Sequence, residues 1–260
     1  MSTTAVPVTR THKRGVSVHG RTRYLYAGFS VLLLILMFTG FQLFYMHGRA
    51  FPDRPLTPPI RNYIILHGVS TTMWMGLLVT QALLISQRLT KLHMKLGLLG
   101  AGLAALVTIS GILVAFGSAR VSPPEARLWD LTIKHFMLVP LVIMIIFGTS
   151  VTIAIINRKR SAIHKPLMYL ATLFMMPAPI DRIPAIVGLY QHNILGDVFG
   201  PFVPCVVIGG AFLVFKWLLT RSWDRPFAIV WAIMVIVGSI SMFVARTPAL
   251  ANPISTALFG

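Results

Sequence analysis

Residues 63–117 read YIILHGVSTTMWMGLLVTQALLISQRLTKLHMKLGLLGAGLAALVTISGILVAFG. Two apolar runs flank a short turn that carries Arg88, Lys91 and Lys95. A helix of about 20 apolar residues crosses the roughly 30 Å hydrocarbon core of a bilayer, and each run reaches that length. Lys and Arg confined to the turn between such runs are the mark of a cytoplasmic loop. The same alternation extends both ways and gives seven apolar runs, near 24–46, 63–87, 95–117, 131–156, 166–190, 200–219 and 227–245. Of the 260 residues 56% are hydrophobic and 11% charged, against about 25% charged in soluble proteins. The expected fold is an all-α, polytopic bundle of seven transmembrane helices. A basic segment 1–23 precedes the membrane domain 24–246. A tail, 247–260, follows, irregular because of Pro248 and Pro253, on the outer surface or against a partner.

Orientation follows from the cations. Arg10, Lys13, Arg14, Arg21 and Arg23 precede the first run. Arg158, Lys159, Arg160 and Lys165 lie between the fourth and fifth, and Lys216, Arg221 and Arg225 around the turn from sixth to seventh. The opposite side receives only Arg49, Arg54, Arg61, Arg120, Arg127 and Arg246. This bias puts the N-terminus in the cytoplasm and the C-terminus outside. Tyr24, Tyr45, Tyr63, Trp129, Tyr190 and Trp223 fall at run ends, where interfacial aromatics belong. The first run is too long for a signal-peptide core and reads as a retained helix.

Composition also excludes. Net charge is +17, from 23 Lys and Arg against 6 acids. A nucleic-acid partner would need those cations as a patch on a folded face, whereas here they punctuate hydrophobic runs. The partner they imply is the lipid bilayer. Cys205 is the single cysteine, so neither a disulfide framework nor a CxxC metal site exists. There is no P-loop, GxSxG elbow or HExxH.

The chemistry-bearing residues are four histidines at membrane depth, where an ionisable side chain is costly and points to function. His67 and His135 lie about one turn inside the outer end of the second and fourth runs, and His93 and His164 open the third and fifth. A b-type haem takes two neutral imidazoles from different helices at one height, and the pairs His67/His135 and His93/His164 meet that height rule. Interfacial histidines beside Lys91, Lys95 and Lys165 also need no ligand at all, so a haem-free protein stays open. His12, His19, His47 and His192 read as solvated.

Around these histidines the second run carries a polar stripe of His67, Thr71, Trp74 and Gln81, edged by Ser70. Such a stripe faces the bundle, because lipid cannot satisfy it. The third run carries a small-residue stripe of Gly97, Gly100, Ala104, Thr108, Gly111 and Ala115, read as helix packing ahead of a cofactor slot. The fifth run is broken by Pro177, Pro179 and Pro184, with Asp181 and Arg182 between them. Trp74, Lys134, Asp181 and Arg182 are candidate contacts for a haem propionate, a quinol or another small anion.

Leu66-His67-Gly68, Leu92-His93-Met94-Lys95-Leu96-Gly97 and His164-Lys165-Pro166-Leu167-Met168 resemble a family of bacterial multi-pass membrane proteins of unknown function. The likeness covers about the middle half of the chain and implies a bacterial inner membrane. The histidine pairing, with Lys91 just before His93, is also similar to the ascorbate-dependent di-haem cytochromes b. That resemblance implies haem b ligated by His67, His93, His135 and His164, with Lys91 and Lys95 near a cytoplasmic reductant. Its core has six helices, whereas seven are predicted here. The leading reading is therefore a b-haem transmembrane electron carrier exchanging electrons with quinone or another redox partner. The alternatives are a small-anion or proton-coupled carrier, and a haem-free accessory subunit with membrane-protein partners or a homo-oligomer.

Overall fold

A computed structural model of the chain describes residues 18–51, 54–56 and 58–260; Arg10, His12, Lys13 and Arg14 of the basic segment lie outside the described residues. Helix α1 (Val18–Gly40) is followed after Phe41 by α2 (Gln42–His47), so the first apolar run is two helical pieces. A ribbon of β1 (Arg49–Phe51) and β2 (Arg54–Pro55) leads into α3 (Arg61–Ser86). Arg88, at φ 65°, turns the chain into α4 (Thr90–Val121). A second ribbon, β3 (Arg127–Leu128) and β4 (Leu131–Thr132), precedes α5 (Ile133–Phe136) and α6 (Leu138–Ile156).

The predicted fifth run resolves into α7 (Ser161–Leu173), α8 (Pro177–Ile180) and α9 (Pro184–Val187). Pro177 and Pro184 sit in the first turn of α8 and α9. Proline lacks the N–H that would continue the preceding helix but suits the start of a new one. Backbone that leaves the α-helix at membrane depth must be enclosed by protein. Most of the broken stretch obeys: Phe174 is 0%, Ile180 1% and Met176 2% exposed and Pro177 and Pro179 are buried, while Ala178, Pro184 and Ala185 are exposed. Its carbonyls are taken up in short-range bonds, including Met176 N–H to Leu173 O and Asp181 N–H to Pro177 O. Then come α10 (Ile194–Phe199), a 3₁₀ turn (Gly200–Phe202), α11 (Val203–Thr220), α12 (Arg225–Arg246) and α13 (Pro248–Phe259).

Among the described residues, five helical stretches are long and apolar enough to cross a membrane: 61–86, 90–121, 133–156, 194–220 and 225–246. Tyr24–Gly40 is a shorter apolar helix. The chain is a multi-pass helical membrane protein, and lipid is the solvent for exposed side chains such as Leu98 and Ile156. In such a solvent helices are held by close packing and hydrogen bonds rather than by escape from water.

The packing is close where the small residues are. Gly100, Ala104, Gly111 and Ala115 of α4 are all buried. A methyl on Gly100 would touch Leu77 of α3 at 3.1 Å, and one on Gly111 would lie 2.3 Å from Met144 Sδ of α6. The small-residue stripe is thus helix packing. On the other side, Tyr169, Phe212 and Phe227 stack with centroids 5.1 and 4.4 Å apart and join α7, α11 and α12.

The tail corrects the expectation of irregular chain. Pro248 occupies the first turn of α13, where its missing N–H costs nothing. Ala251, Ser255 and Phe259 lie at i, i+4 and i+8 and are buried against α4, α5 and α6. Phe259 meets Phe116 edge-on at 5.3 Å. Phe259→Ala is expected to release α13 without unfolding the bundle. Loss of a buried ring costs about 3 kcal/mol or more, which the hydrogen bonds of Lys134 to Gly260 O and His135 to Asn252 Oδ1, about 1 kcal/mol each, do not offset. Faster proteolysis within 247–260 at unchanged bundle melting is the measurable consequence.

Candidate functional site

The four predicted histidines fall into two different situations. At the end of α4 that carries Lys91 and Lys95, the rings of His93 and His164 meet edge to face, with centroids 6.3 Å apart and planes at 89°. His164 opens α7, and its Nδ1 lies 2.9 Å from Ala154 O of α6. A carbonyl only accepts, so Nδ1 carries a proton and donates it to Ala154 O. His93 is tied to α3 through its main chain, since Gln81 Nε2 donates to His93 O at 3.2 Å. His93 Nδ1 and Gln81 Oε1 are both buried without a hydrogen-bond partner. An unmade buried bond is costly, and Thr71 Oγ1, Tyr169 Oη and Ser239 Oγ share this condition elsewhere in the bundle.

His67 and His135 are given separate partners instead. His67 Nδ1 is 3.1 Å from Ser110 Oγ of α4. Ser110 donates its own proton to Leu106 O at 2.6 Å, so His67 is the donor to Ser110. Ser70 Oγ donates to His67 O and lies 3.4 Å from Ser110 Oγ, closing a small α3–α4 network. A methyl on Gly111 would sit 2.9 Å from His67 Cε1, so this ring is tightly packed. His135 Nε2 donates to Asn252 Oδ1 of α13 at 2.9 Å, and its amide N–H is capped by Thr132 Oγ1. Next to it, Lys134 Nζ donates to Gly260 O at 2.9 Å. His135 and Lys134 thus fasten α13, which the tail's prolines concealed.

Trp74 is a core strut: it is 2% exposed, donates from Nε1 to Thr172 Oγ1 at 3.0 Å and meets Phe147 edge-on at 5.0 Å. Asp181, in the turn between α8 and α9, receives Trp129 Nε1–H on Oδ2 at 2.8 Å and Tyr190 O–H on Oδ1 at 2.9 Å. The two aromatic rings stack, centroids 6.0 Å apart. Arg182 donates to Ala178 O and lies with its guanidinium 5.0 Å from the Phe41 ring centre.

Trp129 and Tyr190 therefore depart from the interfacial role expected of them, being 7% and 3% exposed, whereas Tyr24 and Trp223 are 69% and 63% exposed. What turns Trp129 inward is the ribbon β3–β4. Its loop is Trp129-Asp130, with φ of 54° and 60°, the left-handed pair that a two-residue hairpin of matching twist requires. Neither residue is the Asn or Gly that announces such a turn. Gln81 lay on the predicted α3 stripe. Ser110, Thr172 and Asn252 carried no signal in one sequence, because short polar side chains are common in membrane helices.

Comparisons with protein-family models, with curated proteins and with solved structures return no match, so the site is read from its own geometry.

Proposed function

We propose that this chain is a seven-span protein of a bacterial inner membrane, N-terminus cytoplasmic, that carries electrons through one b-type haem at its basic face. His93 and His164 are the iron ligands in this reading. The observation that carries it is the 6.3 Å between their ring centres. Two metal–imidazole bonds of about 2 Å and two ring radii of about 1 Å put ligand rings roughly 6 Å apart. Metal-ligating imidazoles usually donate their other N–H to a carbonyl or similar acceptor. His164 already does so to Ala154 O. For His93, Gln81 has an acceptor oxygen to give. Lys91 and Lys95 are exposed on the same end of α4 and supply positive charge for propionates. When bound, the haem supplies one-electron chemistry, and the exchange partner is a quinone or another membrane redox protein.

The same test applied to the outer histidines does not support a second haem. No ring contact joins His67 to His135 among the described residues; His67 Cε1 is packed against Gly111, and His135 is engaged through Nε2 by Asn252. A carrier reading would use the broken segment at Asp181, whose two oxygens are already taken by Trp129 and Tyr190, so we favour the redox reading.

The test is a reduced-minus-oxidised absorption spectrum with haem quantified against protein. The expected result is a Soret and α-band signal at one haem per chain. His93→Ala and His164→Ala should abolish it, while His67→Ala and His135→Ala retain it. Colourless wild-type protein from haem-replete cells would reject the reading. Anion or proton flux abolished by Asp181→Asn would install the carrier in its place.

A further inference from the structure

The turn between α6 and α7 carries Arg158, Lys159 and Arg160, three consecutive cations that are all exposed. No acid answers them: of the 6 acidic residues in the chain, the two found in ion pairs among the described residues, Asp224 and Asp197, are bound to Lys216 and Arg246. The three cations, with Ile156 and Asn157, line an open surface depression of about 430 Å³. Like charges on one short turn repel, and no ion pair among the described residues offsets that repulsion. Three features say what would. The amides of Ser161 and Ala162, at the start of the 13-residue α7, have no main-chain acceptor, and a helix N-terminus favours an anion. On the α6 side the rim turns apolar at once, with Ile156 74% and Ile153 42% exposed. Charge at the mouth and an apolar wall running into the membrane match a phosphate head joined to acyl chains, whereas a free anion would leave the wall unused.

We propose that the α6–α7 turn binds one anionic phospholipid, its phosphate held by Arg158, Lys159 and Arg160 and its chains lying along Ile153 and Ile156. Basic pockets at the ends of membrane helices take anionic lipids by the same combination. The site is one helical turn before His164 and does not depend on any haem being bound.

Native mass spectrometry of the purified full-length protein tests this, with phosphatidylglycerol, phosphatidylcholine and inorganic phosphate as probes. One phosphatidylglycerol should be retained per chain, phosphatidylcholine should not, and excess inorganic phosphate should not displace the bound lipid. Replacing all three cations (Arg158→Gln, Lys159→Gln, Arg160→Gln) should weaken retention about a hundredfold, from about fivefold per cation. The pair Arg221→Gln and Arg225→Gln, on another turn, should leave it unchanged. Equal retention of the two lipids, or a triple variant that binds like wild type, overturns the proposal. Equal weakening by the Arg221/Arg225 variant would show diffuse surface charge instead, and displacement by inorganic phosphate a free-anion site; either also overturns it. All three positions are exposed, and a circular dichroism melt matched to wild type separates lost binding from lost folding.

Discussion

Gly40→Ala is expected to destabilise the bundle by about 3 kcal/mol, the upper end for overpacking a core. A methyl at Gly40 would lie 2.0 Å from Pro179 O, 2.5 Å from its carbonyl carbon and 2.8 Å from its Cα. All three atoms are backbone, so no rotamer change relieves the overlap. Either α1 backs away from α8 or the broken segment moves, and that segment holds Asp181 and the most buried part of α7. Gly28, three turns earlier on α1, has no heavy atom within 4 Å of an added methyl. There the same substitution should be neutral or stabilising by up to about 1 kcal/mol, the helix preference of Ala over Gly. Denaturation in detergent reads both variants. Equal melting of the two would disprove the close approach of α1 and α8.

Asp181→Ala should cost a comparable amount, about 3 kcal/mol, for a different reason. Hydrogen bonds to a charged group contribute about 1.5–3 kcal/mol each, and donors left buried without an acceptor carry a desolvation cost besides. Trp129 Nε1–H and Tyr190 O–H would both be stranded. Because Trp129 sits at φ 54°, a conformation disfavoured for a bulky residue, its acceptor also holds the β3–β4 loop in place. Asp181→Ala should therefore shift tryptophan fluorescence as well as lower the melting point. In a double-mutant cycle with Trp129→Phe the two losses should fall short of additive by at least about 1 kcal/mol, as for groups in one network. Strict additivity would show that the indole and the carboxylate do not act as a unit.

The candidate site was only partly legible in one sequence. Depth is linear in residue number along a helix, at about 1.5 Å per residue, so the pairing of His93 with His164 by height could be read directly. Whether two rings at one height meet depends on the rotation of each helix about its own axis. His67 and His135 show this: matched in depth, they turn to Ser110 and Asn252. Asn252 could not have been anticipated, because two prolines made α13 look irregular while Ala251, Ser255 and Phe259 were spaced to bury one face. The prolines of the fifth run were informative because their effect is local. A missing N–H breaks a helix whatever surrounds it.

By itself the sequence determined that this chain is a helical membrane protein and that its proline-rich fifth run would break, but not that the first run would break at Phe41. Hydrocarbon admits only backbone that bonds within its own segment, so composition over about 20 residues is enough. Tertiary structure alone decided which polar groups find one another: Asp181 with Trp129 and Tyr190, His67 with Ser110, His93 with His164. They go with close helix approaches at Gly40 and Gly111, contacts between segments far apart in the chain that no local pattern encodes, and with a left-handed turn at Trp129-Asp130 that neither residue type announces.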